Sequence, residues 1–181
     1  MGRRQTIDRG ALLDAAEKVV LRDGPASLTM DAVAKEAGVS KGGVLYAFVT
    51  KDALIDALMG RVFDSYDRLV ADYLAREGGL PHAQIRAHVD ANRHEDAATH
   101  ARGIALMASF IRSPAYQESS RAFYRDLFSQ IDPATERGRK ARLALLAVEG
   151  AFVVRGFAFY PFSDAEWQSI HDDIVSLLLE G

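Results

Sequence analysis

Apolar residues recur at three- and four-residue steps along almost the whole chain, and no stretch alternates convincingly with a period of two, so the pattern predicts an all-α protein. Ile7, Ala11, Ala15 and Val19, with Leu12, Ala16 and Val20 beside them, form one stripe from about Ile7 to Arg22, which Asp23-Gly24-Pro25 ends. Met30, Val33, Ala34 and Ala37 mark a short second helix, with Thr29 as its cap and Asp31 in its positively polarised first turn. Gly38 can take the left-handed conformation that closes this helix, Val39 can plug the corner, and Ser40 can cap a third short helix. Leu54, Leu58, Val62, Tyr66, Leu69 and Tyr73 then stay in register from about Lys51 to Arg76, a long helix expected to link two domains rigidly. Gly78-Gly79-Leu80-Pro81 breaks the chain, and helical patterns resume over about His82 to Ala97, Thr99 to Arg112 and Tyr116 to Ile131. Asp132 reads as the cap of an eighth helix, with Pro133 in its first position, running to about Phe159. Ser163 and Glu166 form a capping box for the last helix, Asp164 to Leu179. The expectation is about nine helices in two domains, residues 1–50 and 51–181.

Residues 29–51, TMDAVAKEAGVSKGGVLYAFVTK, carry the most specific chemistry. Two short helices about a tight corner form a helix-turn-helix, in which the second helix lies in a DNA major groove, so side chains from Lys41 to Ala47 become candidates for base edges. Gly42 and Gly43 each cost about 1 kcal/mol of helix stability and make sense where a foreign backbone must approach closely. Val39 and Phe48 suit the core of a small three-helix domain.

The run AGVSKGGVLYAFVTKDAL resembles the signature of the TetR family of bacterial repressors through Gly38, Val39, Ser40, Lys41, Gly42, Tyr46, Phe48, Thr50, Lys51 and Leu54. The likeness covers roughly the first 55 to 60 residues. It implies phosphate contacts at Tyr46 and Lys51, which join Thr29, Ser40, Lys41, Gly42, Gly43, Val44 and Ala47 as the candidate DNA-binding set. Ala47 and Val49 depart from the family pattern. By the same resemblance, Tyr66, Met107, Phe110, Phe123, Tyr124 and Phe128 lie on helices that line an effector cavity, and their aromatic character suits a small apolar or aromatic ligand. The implied fold is an N-terminal three-helix helix-turn-helix domain followed by a helical effector-binding and dimerisation domain.

Charge supports this division. Residues 1–51 hold eight Lys and Arg against six Asp and Glu, whereas the remainder holds fourteen against nineteen, so the positive balance sits where DNA would lie. Arg3, Arg4 and Arg9 form a basic N-terminal segment able to reach DNA backbone or minor groove. With 181 residues, 49% of them apolar, the chain can bury a substantial core. The absence of cysteine excludes disulfides, zinc fingers and thiol sensors, and fits a reducing cytoplasm. A formal myristoylation match and a twin arginine near the start lack the apolar segment a signal needs. Leu143 to Phe162 is nearly continuous in apolar residues, but Glu149, Arg155 and Pro161 argue against a membrane span.

The eighth helix presents Leu143, Ala147, Gly150, Val154 and Phe157 on one side and Leu145, Val148, Phe152 and Phe159 on another. One small core cannot cover both. With the stripe Trp167, Ile170, Ile174, Leu177 and Leu178 of the last helix, this predicts a homodimer built on a four-helix interface. The chain is therefore expected to bind a near-palindromic double-stranded DNA operator and to release it on binding a small molecule. An enzyme is the contrasting reading, resting on His82, His88, His94 and His100, which recur every six residues and so do not share a helical face. Asp90 with His94, and Asp96 with His100, read as surface pairs rather than metal ligands. No nucleophile elbow, phosphate loop, zinc-protease motif or dinucleotide fingerprint is present, and no catalytic residue, cofactor or metal is expected.

Overall fold

The computed structural model describes residues 8–180, and among these it contains nine α-helices and no strand. Arg3, Arg4 and the expected start of the first helix at Ile7 lie outside the described residues. The helices are α1 (Arg9–Asp23), α2 (Met30–Ala37), α3 (Lys41–Ala47), α4 (Lys51–Glu77), α5 (Ala83–His94), α6 (Ala97–Phe110), α7 (Pro114–Ser129), α8 (Glu136–Gly156) and α9 (Asp164–Asp173). A 3-10 turn, Pro25–Ser27, precedes α2, and a π-helical segment, Ile174–Leu179, continues α9. The described residues form two compact units. One runs up to Arg61 and includes Ala105–Gln117, and the other comprises Val62–Ile104 with the described residues from Glu118 on.

In the first unit α1 packs on α2, and α2 on α3. The α1 stripe Leu12, Ala15, Ala16, Val19 and Val20 is buried, as are Leu28, Val33, Ala34, Val44, Phe48, Leu54 and Leu58. Asp8 caps α1 through the amides of Gly10 and Ala11. Arg22 pairs with Glu36 of α2 at 3.0 Å, and Arg61 of α4 with Asp14 of α1 at 2.5 Å.

In the second unit α8 packs against α5 and the π segment around Ile85, Val89, Leu127, Ile131, Ala141, Ala144, Leu145, Val148, Ile174 and Leu179. Two sequence expectations need correction here. Thr135, not Asp132, caps α8, accepting from the Gly138 amide at 2.9 Å, while Asp132 accepts from Ala134 in a preceding turn. The last helix changes character at Ile174. Its wider turn buries Ile174 and Leu179, five residues apart, and leaves Leu177 68% exposed. The Ser163–Glu166 capping box is present as expected.

Of the two His–Asp pairs read as surface pairs, one departs from that reading. His94 does pair with Asp90 at the surface, but Asp96 caps α6 through Ala98 and Thr99 and leaves His100 to be buried. His100 Nε2 faces the Phe152 carbonyl at 2.9 Å. His171 is fully buried, its Nδ1–H donating to the Trp167 carbonyl at 2.7 Å and its Nε2 pairing with the Asn92 amide group at 3.0 Å. Arg93 is half-buried and ties α5 to α9 through Gln168 at 2.5 Å and Asp172 at 2.8 Å.

Burial holds the His100 and His171 imidazoles below their ordinary value of 6.5. The unfolded chain therefore takes up protons at these positions before the folded chain does, and stability is lost as pH falls below about 6.5. Melting temperature is expected to drop between about pH 7 and 5. Removing one of the two groups in His171→Gln should flatten that drop, and an identical profile in the variant would show that this ring does not contribute.

Candidate DNA-binding and effector sites

The corner between α2 and α3 is built from local chemistry. Thr29 Oγ1 accepts from the Ala32 amide at 3.1 Å and Ser40 Oγ from the Gly43 amide at 3.1 Å, so each helix has a side-chain cap. Gly38 lies between them at φ +69°, where its amide and that of Val39 satisfy the last carbonyls of α2. Thr50 caps α4 through Ala53 at 3.0 Å, which sets Lys51 at an exposed helix start.

Which face of α3 looks outward is decided by Val44 and Phe48, which are 0% and 2% exposed. Val44, expected at base edges, is therefore a core residue, because the helix must turn one apolar side into the first unit. The outward face instead carries Lys41, Gly42, Leu45 and Tyr46, followed by Val49 just beyond the helix end. Tyr46 is 85% and Val49 79% exposed. Ala47 and Gly43 are half-buried at the edges of this face. Leu45, although inside the Lys41–Ala47 span, was not singled out, and Val49 lay beyond it, because a seven-residue helix containing two glycines offers too few positions to fix its phase.

The charge on this surface is already engaged. Lys41 Nζ lies 2.8 Å from Asp31 of α2, in a pair that is more than half exposed on both sides. Such exposed pairs contribute little and exchange readily, so Lys41 is pre-oriented at the start of α3 without being locked there. A Cβ on Gly42 would meet only Ser40 Oγ, at 3.9 Å. No neighbour within the protein requires a glycine at that position.

In the second unit the structure brings Tyr66, Phe123 and Tyr124 together and adds two residues that the sequence did not suggest. The Tyr66 hydroxyl bonds His88 Nδ1, and His88 Nε2 lies 2.8 Å from Glu149 Oε1. A neutral imidazole suits this order, with Tyr66 donating to Nδ1 and Nε2–H donating to the carboxylate. Burial, reinforced by the nearby Glu149 charge, pushes the Tyr66 phenol up, so it stays protonated. Phe123 sets its ring edge against Tyr66, with centroids 6.2 Å apart, and lies 5.9 Å from His88 and 5.2 Å from Tyr124. Met107 and Phe110 belong to the first unit, where Phe110 is buried, and Phe128 is 39% exposed. His88 and Glu149 escaped detection because their pairing spans 61 residues. Among the described residues no three His, Asp or Glu side chains are placed to hold a metal ion.

Two capped helices about a left-handed glycine, the second presenting an exposed tyrosine, a lysine and an unfilled glycine surface, define a DNA-binding transcription regulator of the helix-turn-helix class. Residues 12–58 match the bacterial regulatory proteins of the tetR family, and residues 82–179 match the Tetracyclin repressor-like, C-terminal domain. The chain belongs to the TetR family. It is 35% identical over 88 residues to the HTH-type transcriptional regulator BetI of Stenotrophomonas maltophilia, a match spanning 49% of this chain and 45% of that protein. To the regulator BetI of Burkholderia thailandensis it is 27% identical over 190 aligned positions, covering 99% of this chain and 96% of that one. Among solved structures, the multidrug binding protein EbrR complexed with malachite green has the same fold, with a TM-score of 0.66 at 22% identity over 96% of this chain and 99% of that one. No helix among the described residues is long and apolar enough to cross a membrane.

The two corner glycines should respond in opposite directions. Gly38→Ala is expected to lower stability by about 1 kcal/mol, because an L side chain is strained in the left-handed region. Gly42→Ala should raise it by roughly 0.5–1 kcal/mol, by restricting the unfolded chain at no steric cost, while weakening DNA binding. Thermal melts and duplex titrations check both, and a Gly42→Ala protein that binds DNA as tightly as wild type would remove the close-approach reading.

Proposed function

We propose that this regulator is a ligand-released repressor that binds a near-palindromic operator as a homodimer. The observation that carries the DNA half is the outward face of α3, on which Tyr46 stands 85% exposed beside Lys41 and Gly42 while Val44 and Phe48 hold the helix down. Tyr46, Thr29, Ser40 and Lys51 are suited to phosphate oxygens and fix register, whereas Leu45, Ala47, Val49 and the backbone at Gly42 and Gly43 are suited to base edges and thymine methyl groups. Few cations face the DNA from each head, so affinity should fall only modestly with salt.

Dimerisation is supported by the free face of α8. Leu143, Leu146, Gly150, Val153 and Phe157 follow one another at three- and four-residue steps, and the four large side chains are each at least 40% exposed. A Cβ on Gly150 would meet nothing within 4 Å, which leaves room for a second helix to approach. Leu177, on the π segment that packs beside α8, extends the apolar surface. Two copies related by two-fold symmetry would cover it and would present two recognition helices to successive major grooves.

The effector reading rests on Tyr66, His88, Phe123, Tyr124 and Glu149, where aromatic edges surround one hydrogen-bonded chain of polar groups. EbrR, which shares the fold, takes up malachite green. Release requires only that the effector bind the DNA-incompatible conformation more tightly than the DNA-bound one.

Selection of the purified full chain against a randomised duplex library at about physiological salt tests the proposal, because specific and non-specific affinities there commonly differ by roughly a thousandfold or more. Enrichment of one inverted repeat is expected, and a single unrepeated half-site would contradict the dimer. Leu146→Glu should convert the dimer to monomer in sedimentation and abolish preference for the full repeat, whereas a dimer that survives this substitution would move the interface away from α8.

A further inference from the structure

Arg9 opens α1 within a basic segment expected to reach the DNA backbone or minor groove. Arg9 is exposed, but its guanidinium is engaged with other residues of the first unit. Nη1 donates to the Ala47 carbonyl at 2.6 Å, and Cζ lies 4.4 Å from the centroid of the Phe48 ring. Ala47 is the last residue of α3, so its carbonyl is one of the acceptors for which the helix has no intrahelical donor. A cation at this end also meets the negative pole of the helix dipole.

The third helix needs such a donor more than the others do. It has seven residues, two of them glycine, no basic residue in its last turn, and an extended residue, Phe48, closing it. A helix this short is not stable on its own. Ser40 Oγ accepts from the Gly43 amide at its start, and at its end the Phe48 amide closes onto the Val44 carbonyl, while the last turn holds no basic side chain for the carbonyl of Ala47. Arg9 supplies the missing donor from another helix. The Phe48 ring, itself 2% exposed and so fixed in the core, gives the planar guanidinium a surface to lie on.

We propose that Arg9 is a positioning residue for DNA recognition, clasping the C-terminal end of α3 and thereby setting the direction of Tyr46 and Val49, without itself contacting DNA. The inference rests on the helix-turn-helix reading above. Its competitor is the ordinary role of an N-terminal arginine as a phosphate contact, and the two differ in salt dependence. Each phosphate contact contributes about 0.9 to the slope of log affinity against log salt on duplex DNA. Losing one contact from each half of a dimer therefore lowers the slope by about two, whereas losing a positioning contact leaves it unchanged.

The test compares full-length wild type, Arg9→Met and Arg9→Lys on the duplex recovered by selection and on a scrambled duplex of equal length, each over a salt series. Arg9→Met is expected to bind the selected duplex about tenfold more weakly, to bind the scrambled duplex within about twofold of wild type, and to keep the wild-type slope. Hydrogen exchange over residues 41–50 of the free protein should accelerate in the same variant. Arg9→Lys, which keeps the charge but not the planar face over Phe48, should show the same loss of preference in weaker form. Equal losses on both duplexes with a slope lower by about two, or no loss at all, would overturn the proposal. If Arg9→Met does not fold, Arg9→Lys decides alone, since a phosphate contact would survive it with near wild-type preference. Failure of wild type to prefer any duplex would sink the DNA-binding reading and this inference with it.

Discussion

The seating of Val44 and Phe48 in the first unit is the constraint on which the DNA-facing surface depends. These side chains are four residues apart, one helical turn, and both are almost completely removed from solvent. The α3 backbone has too few residues and too much glycine to persist by propensity, so its existence and its rotation are set together by this burial. Once both side chains point inward, Lys41, Leu45 and Tyr46 must point outward. The caps at Thr29 and Ser40 and the left-handed Gly38 fix where α2 ends and α3 begins. Small, cheap local interactions thus orient a surface whose binding energy comes from elsewhere.

The second unit solves a different problem, that of holding polar groups inside an apolar bundle. Buried polar groups are costly unless paired, and the three buried histidines each have a partner on another helix: His88 with Tyr66 and Glu149, His171 with Asn92, and His100 with the Phe152 carbonyl, while His100 Nδ1 and Arg155 Nη1 are left without a hydrogen bond. Arg155 stacks on the Trp167 ring at 4.2 Å. These contacts specify how α4, α5, α8 and α9 meet far more narrowly than Leu and Ala contacts would. A ligand that offered Tyr66 or Glu149 a better partner would disturb that arrangement directly, which is the reason for proposing the effector site at the Tyr66–His88–Glu149 chain.

What could be read from the sequence was whatever is decided within a few residues. Thr29, Gly38, Ser40 and the Ser163–Glu166 box announce helix ends through chemistry that acts over three or four positions, and the long stripes of α1 and α4 announce burial by repetition. The α8 cap was misplaced because Asp132-Pro133 and Thr135 both carry start signals, and only the packed structure chooses Thr135. The burial of His88, His100 and His171 was not legible, since their partners lie 61, 52 and 79 residues away. At the DNA-facing site the segment and its glycines were legible. The phase of α3 was not, so Val44 was assigned outward, Leu45 was not singled out from the Lys41–Ala47 span, and Val49 beyond it was left out. Arg9 carried the charge expected of a DNA contact, and only the placement of the Ala47 carbonyl reveals what that charge faces.

The central claim is that the surface formed by α3, its caps and the start of α4 is where this protein meets DNA. The most direct measurement is nuclear magnetic resonance of the isotopically labelled full chain titrated with a short specific duplex, following backbone amides residue by residue. The account predicts that the largest shifts fall on Thr29, Ser40 to Gly43, Leu45, Tyr46 and Val49 to Lys51, with the amide of buried Val44 moving less than those of its exposed neighbours. Shifts concentrated instead on α8 and α9, or spread evenly over both units with no maximum at α3, would contradict it.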